Sequence, residues 1–127
     1  MSWNTKREAK SRTPRTTVEI DATDKIVGRL ATQIAKMLMG KDQPTYIPHI
    51  DSGAKVIVKN ADKLVYSGKK MEQKVLFTSS NRPGGVKRLP VAKLQVEKPG
   101  EILRHAVLYM LPKNRTQKER MKRLIIA

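Results

Sequence analysis

Polar and apolar positions alternate through Thr17-Val-Glu-Ile-Asp21, the period of a strand with one buried face. Directly after it, Val27, Leu30, Ala31, Ile34 and Leu38 recur at the 3, 4, 7 spacing of one helical face. Asp24 stands where an N-cap is expected and Gly40 where a left-handed residue ends a helix, so the pattern predicts a helix between them. Lys41 to Gly53 holds two prolines and reads as a loop, and Val56-Ile-Val58, an apolar run between lysines, reads as a buried strand. Strand, helix, strand is a βαβ unit, and such units build parallel sheets.

Farther along, Asn60 predicts a cap for a helical turn at 61–63, and a third strand is expected at Leu64-Val-Tyr66 or at Val75-Leu-Phe77. Thr78 to Gly85 carries only loop signals. Helices are predicted over Val91 to Lys98 and Glu101 to Met110, broken by Pro99-Gly100 and stopped by Pro112. Ile102, Leu103, Ala106, Val107 and Met110 supply the apolar stripe of the second. Lys113 to Arg123 predicts a short exposed helix, and Leu124-Ile-Ile126 a last strand. There is no internal repeat. Residues 17–127 are expected to form a single α/β domain behind a basic, solvated arm at 1–16.

Composition narrows what such a domain can do. A chain of 127 residues suits one modest core. Without cysteine there is no disulfide, thiolate metal site or cysteine nucleophile, which fits a reducing compartment. With only His49 and His105, a histidine-rich metal centre is not expected, and neither is any cofactor. No apolar run approaches the roughly 18 residues of a membrane span, and the first residues have no signal-peptide core. The expectation is a soluble, cytoplasmic protein that engages no membrane.

Charge changes the picture most. Twenty-seven Lys and Arg against 11 Asp and Glu give a formal +16, a self-repulsion relieved when phosphates surround the protein. Residues 1–16 carry five bases and one acid, residues 112–127 six bases and one acid, so both ends are denser in charge than the body. Basic ends on a compact domain suit a deep, irregular polyanion such as folded RNA.

Enzymatic alternatives start from Asp51-Ser-Gly53, the turn on which aspartic proteases carry a catalytic carboxylate. The apolar-apolar-Gly-Arg segment that accompanies it in that family is present as Ile26-Val-Gly-Arg29, but ahead of Asp51 rather than after it. A dyad also needs two carboxylates sharing a proton, which a strongly cationic chain disfavours. His49 and Asp51 could be half of a metal site, yet no residues at metal spacing complete it. Around Gly28 the phosphate-loop pattern fails: Arg29 stands for its Lys and Leu30 for its hydroxyl. The remaining catalytic alternative is a small RNA-processing or hydrolytic enzyme using Asp51 and His49.

Binding features are more coherent. Lys69, Lys70 and Lys74, then Arg82, Gly84, Gly85, Lys87 and Arg88, surround a glycine-bearing loop where bare backbone can approach a sugar-phosphate chain. Lys113, Arg115, Lys118, Arg120, Lys122 and Arg123 form a second cluster, and the arm adds Lys6, Arg7, Lys10, Arg12 and Arg15. Aromatic residues are few, so phosphate and shape recognition must dominate over base stacking. Trp3 is an exception on the arm.

Ordered blocks add a more specific signal. Val18-Glu-Ile-Asp-Ala-Thr23, Gly28-Arg-Leu-Ala-Thr32, Gly40-Lys41, Tyr46-Ile-Pro-His-Ile-Asp-Ser-Gly53, Val58-Lys-Asn-Ala-Asp-Lys63, Gly84-Gly85 and Met110-Leu-Pro-Lys113 follow one another along the chain. Together they resemble the large-subunit ribosomal protein thirteen family from about Val18 to Ile126. The resemblance implies a three-layer α/β/α domain around a small parallel sheet of about four strands, no catalytic activity, and binding to large-subunit ribosomal RNA early in assembly, beside neighbouring ribosomal proteins and without a small-molecule substrate. It places Arg29, Lys41, Tyr46 and His49 on or beside the RNA-facing side. Two departures stand out: Thr78, Ser79 and Asn81 replace the histidines and glycine that bacterial members commonly carry before the Gly-Gly pair, and the histidine-containing tail expected after the last strand is not in this sequence.

Overall fold

The computed structural model describes residues 14–127. Lys6, Arg7, Lys10 and Arg12, like Trp3, lie outside the described residues.

Strand β1 (Thr17–Asp21) leads to helix α1 (Val27–Met39) and then to β2 (Lys55–Lys59), which lies parallel to β1. The last strand, β5 (Leu124–Ile126), pairs in parallel with the other side of β2, giving a three-stranded sheet in the order β1-β2-β5. Register sets Val18, Val56 and Leu124 in one row and Ile20, Val58 and Ile126 in the next, so the alternation along each strand becomes one continuous apolar face. Helix α1 lays Leu30, Ala31, Ile34 and Leu38 into the core on that face, each of the larger side chains contributing about 1.5–3 kcal/mol when fully buried. Helix α4 (Pro99–Met110) packs beside α1 with Ile102, Leu103 and Val107 buried.

Both ends of α1 show how the backbone decides a boundary. Gly40 takes φ of 82°, and its N–H donates to the carbonyls of Lys36 and Met37, the left-handed stop expected from its position. At the other end Asp24 is not the cap. It sits at φ 56°, and the helix begins after Ile26 with no side-chain cap. The N–H of Asp24 bonds to Lys63 O at 3.2 Å, Val65 N–H bonds to Lys25 O at 3.0 Å and Val27 N–H to Val65 O at 3.2 Å. Backbone pairing with residues 63–65 therefore does the work a capping side chain would do. Asn60 likewise precedes the 3-10 turn Ala61–Lys63 in a left-handed conformation without capping it, because its amide donates to Asp21 instead.

The α/β class holds, but the parallel sheet has three strands where about four were expected. Val75 does open a strand, β3 (Val75–Ser79), after the single-turn helix α2 (Lys70–Gln73), yet it pairs antiparallel with β4 (Val86–Pro90) in a separate hairpin. Of these ten strand positions only Leu76 is buried, so the hairpin stands away from the core that a fourth parallel strand would have to join. Among the described residues, the far face of the three-stranded sheet carries Glu19, Lys55, Ile57, Lys59 and Ile125, exposed or half-buried, and the helices lie on the near face. Helix α3 (Val91–Glu97) and α4 meet at Lys98, with Pro99 at the first position of α4 where its missing N–H costs nothing. Helix α5 (Gln117–Lys122) then leads into β5, and contrary to an exposed helix it buries Arg120 and Met121.

Candidate nucleic-acid interface

Asp51, the residue that raised the protease question, is 4% exposed and encircled by guanidinium groups. Arg123 grips both of its carboxylate oxygens, one of them at 2.8 Å from Nη2. Arg15 Nη2 lies 3.6 Å away and Arg120 Nε 3.5 Å away. Burial alone pushes the Asp51 carboxyl up, but the hydrogen bonds and charge of Arg123, then the charges of Arg15 and Arg120, outweigh it and hold the group below its ordinary value. A carboxylate so clamped stays ionised and has no proton to share, so the geometry gives Asp51 no general-acid or dyad chemistry.

What the cluster does is tie distant segments together. Arg123 Nη2 also donates to Leu38 O at 2.8 Å, and Arg15 Nη1 donates to Gly53 O at 2.9 Å. The end of α1, the 51–54 turn, the segment before β1 and the residue that leads into β5 thus meet around the Asp51–Arg123 pair. Gly53 makes the meeting possible, since a Cβ there would come within 1.8 Å of Leu38 O. Arg15, Arg120 and Arg123, expected among the phosphate-facing bases, are drawn inward to this carboxylate, with Arg120 only 2% exposed. The alternation of Arg120 and Arg123 with exposed lysines was visible in the sequence; the distant acid that claims them, Asp51, was not.

The other candidates face outward. Arg29 is exposed on the first turn of α1, Lys41 and His49 are exposed in the loop before β2, and Tyr46 is half-buried there. Lys69, Lys70 and Lys74 bracket α2 and are exposed. Arg82, Gly84, Lys87 and Arg88 are exposed along the β3–β4 hairpin, and Gly85 is half-buried. The turn is shaped by Gly84 at φ 72° and by Ser80 N–H donating to Gly85 O at 2.8 Å. Lys113, Arg115, Lys118 and Lys122 are exposed around α5. So the structure presents three groups of exposed bases on three different elements, the α2 turn, the hairpin and the 113–122 segment, held by one core. Among the described residues no group of acidic and histidine side chains could hold a metal ion, and no helix is long and apolar enough to cross a membrane.

One feature was missed. Tyr109 stacks against His105 with ring centroids 4.6 Å apart, and Lys113 Nζ lies 5.5 Å from the Tyr109 ring centre. The signal was the spacing of His105 and Tyr109, four apart on the helix that carries the stripe, where they share one face.

A model of the family described as ribosomal protein L13 matches residues 15–126. Among curated proteins, the chain is 52% identical over 105 residues to the large ribosomal subunit protein uL13 of Caldanaerobacter subterraneus subsp. tengcongensis, covering 83% of this chain and 73% of that one. It is 50% identical over 105 residues to the uL13 of Thermotoga petrophila, covering 83% and 70%, and 52% identical over 107 residues to that of Bifidobacterium longum, covering 84% and 71%.

Proposed function

Because the chain belongs to the ribosomal protein L13 family, we propose that it is a structural component of the large ribosomal subunit that binds the subunit's RNA, holding RNA segments together by neutralising phosphates, and that it takes part in early assembly of that subunit. The observation that carries this reading is the separation of the bases into buried and exposed sets. Three arginines are consumed by Asp51, while the exposed bases of the α2 turn, the hairpin and the 113–122 segment project from three elements carried by one core. A rigid body with several basic faces can contact more than one RNA segment at once, and its phosphate contacts set position rather than read sequence. The glycine-bearing hairpin turn lets backbone come close to a sugar-phosphate chain, as a side chain there would not.

Neighbouring ribosomal proteins are the expected further contacts, and the apolar side chains Ile57 and Ile125 on the open face of the sheet suit one. The test is co-sedimentation: tagged protein expressed in a bacterial host should travel with large subunits and leave them as salt is raised. Protein that stays at the top of the gradient at low salt would contradict the proposal.

A further inference from the structure

Two depressions meet at Ser67, Lys70 and Lys74, and their linings differ in chemistry. One, of about 280 Å³, lies between the first turn of α1 and one face of α4, and is lined by Gly28, Tyr66, Leu76, His105, Ala106 and Tyr109 among others. The other, of about 580 Å³, is an open basin formed by Ser67, Gly68, Lys69, Lys70, Gln73 and Lys74. Among the described residues, neither lining contains a carboxylate.

Gly28 is the unexpected part of the wall. It lies within a helix, where glycine is less stable than alanine. A Cβ there would meet nothing within 4 Å among the described residues, so no packing between them requires its absence. The missing side chain leaves the cavity open beside bare backbone, which is useful only to something that enters from outside.

We propose that the apolar cavity receives one unstacked base of the RNA while the adjoining lysine basin receives its phosphate, so that the two depressions form a single-nucleotide site. The inference rests on the RNA-binding reading above and names one contact within it. A cavity at the small end of the roughly 300–1,000 Å³ range of small-molecule sites suits one planar ring system. The Tyr109 and His105 rings offer a stacking surface, and Lys113 beside Tyr109 adds charge at the rim. Burial, then the charge of Lys74, lowers the pKa of His105, so its imidazole is neutral at neutral pH and presents one donor and one acceptor to a base edge. The three lysines favour a nucleotide over an apolar side chain from a neighbouring protein, which would gain nothing from them. One such site also agrees with a chain too poor in aromatics for an extended stacking platform.

The full chain can be titrated with millimolar adenosine monophosphate, uridine monophosphate or ribose 5-phosphate while NMR follows the His105 and Tyr109 rings and the Gly28 amide. The nucleotides should move all three, whereas ribose 5-phosphate should move only the backbone of residues 67–74. Gly28→Leu should abolish the ring response, keep the lysine-basin response, and weaken binding to large-subunit ribosomal RNA roughly 5- to 150-fold, the range for one stacked base. Tyr109→Ala, at a residue 61% exposed and therefore harmless to the core, should also lose the ring response to nucleotide at His105. Rings that respond no more to nucleotide than to ribose 5-phosphate would overturn the site. So would a stronger response to N-acetylphenylalaninamide, which would assign the cavity to a protein side chain. Silent rings with intact, salt-sensitive RNA binding would sink this site alone; absence of RNA binding by the unmodified chain would sink the broader reading.

Discussion

Replacing Asp51 by Ala removes the only carboxylate that, among the described residues, lies against Arg15, Arg120 and Arg123. Arg120, 2% exposed, would be left charged and without its counter-ion in the interior. Breaking a buried pair from one side costs about 3–5 kcal/mol, because the orphaned charge is still desolvated. That is a large share of the ~5–15 kcal/mol that holds a domain folded. With a urea m-value of about 2 kcal/mol/M, the unfolding midpoint followed by far-ultraviolet circular dichroism should fall by roughly 1.5–2.5 M at unchanged m. Asp51→Asn keeps the shape but not the charge, so it should be nearly as damaging. Adding Arg120→Leu to Asp51→Ala should recover part of the loss, since it removes the most deeply buried orphan. The clamp also sets the pH dependence of stability. The folded pKa of Asp51 is depressed, so its contribution is complete above the unfolded carboxylate value of about 3.9 and is lost as pH falls through the folded value below that. Asp51→Asn should therefore flatten the acid limb of the stability curve. An Asp51→Ala protein within about 1 kcal/mol of the parent, the range of an exposed pair, would refute the buried-clamp reasoning.

Gly53→Ala must displace the Leu38 carbonyl, so it should lose about 3 kcal/mol or more in the same urea assay. Gly40→Ala places a side chain at φ 82° with its Cβ 3.0 Å from Ser52 Oγ, and should lose about 1–2 kcal/mol. Asp21, held at a pKa of about 2 by the amide of Asn60 and then by the backbone and hydroxyl of Thr23, should titrate there by carboxyl-detected NMR; Asn60→Ala should bring it back toward 3.8. Because that pKa is depressed, whatever stability Asp21 contributes is present above the ordinary carboxylate range and is lost as pH falls through about 2. Substituting Lys87 and Arg88 by Ala should leave folding intact, since both are exposed, and should weaken RNA binding uniformly across sequences while making it less salt-dependent.

Elements that bury a regular face were legible in the sequence. β1, α1, β2 and β5 announced themselves because Ile20, Leu30, Ile34, Val56, Val58 and Leu124 recur at strand or helix spacing and all enter one core. β4 gave no such signal because all five of its residues are exposed, and its pairing with β3 depends on the backbone and the turn rather than on an apolar face. The strand expected at Val75-Leu-Phe77 is present, but the sequence did not show that its partner is the antiparallel β4, since Leu76 enters the core while Phe77 points to solvent. For the interface, charge density marked the hairpin and the α2 turn, which remain outward-facing. Arg15, Arg120 and Arg123 looked the same in sequence as their lysine neighbours, and only tertiary proximity to Asp51 removes them from the surface.

The most direct test of the central claim is the salt dependence of binding between the full chain and large-subunit ribosomal RNA. If Z phosphates are neutralised, log affinity should fall linearly with log salt at a slope of roughly −0.7Z to −0.9Z. With the bases of the hairpin, the α2 turn and the 113–122 segment all engaged, the slope should be steep, and replacing the exposed bases of any one group should make it shallower. A nearly flat dependence, or a slope indifferent to all three groups, would contradict an interface built on phosphate neutralisation.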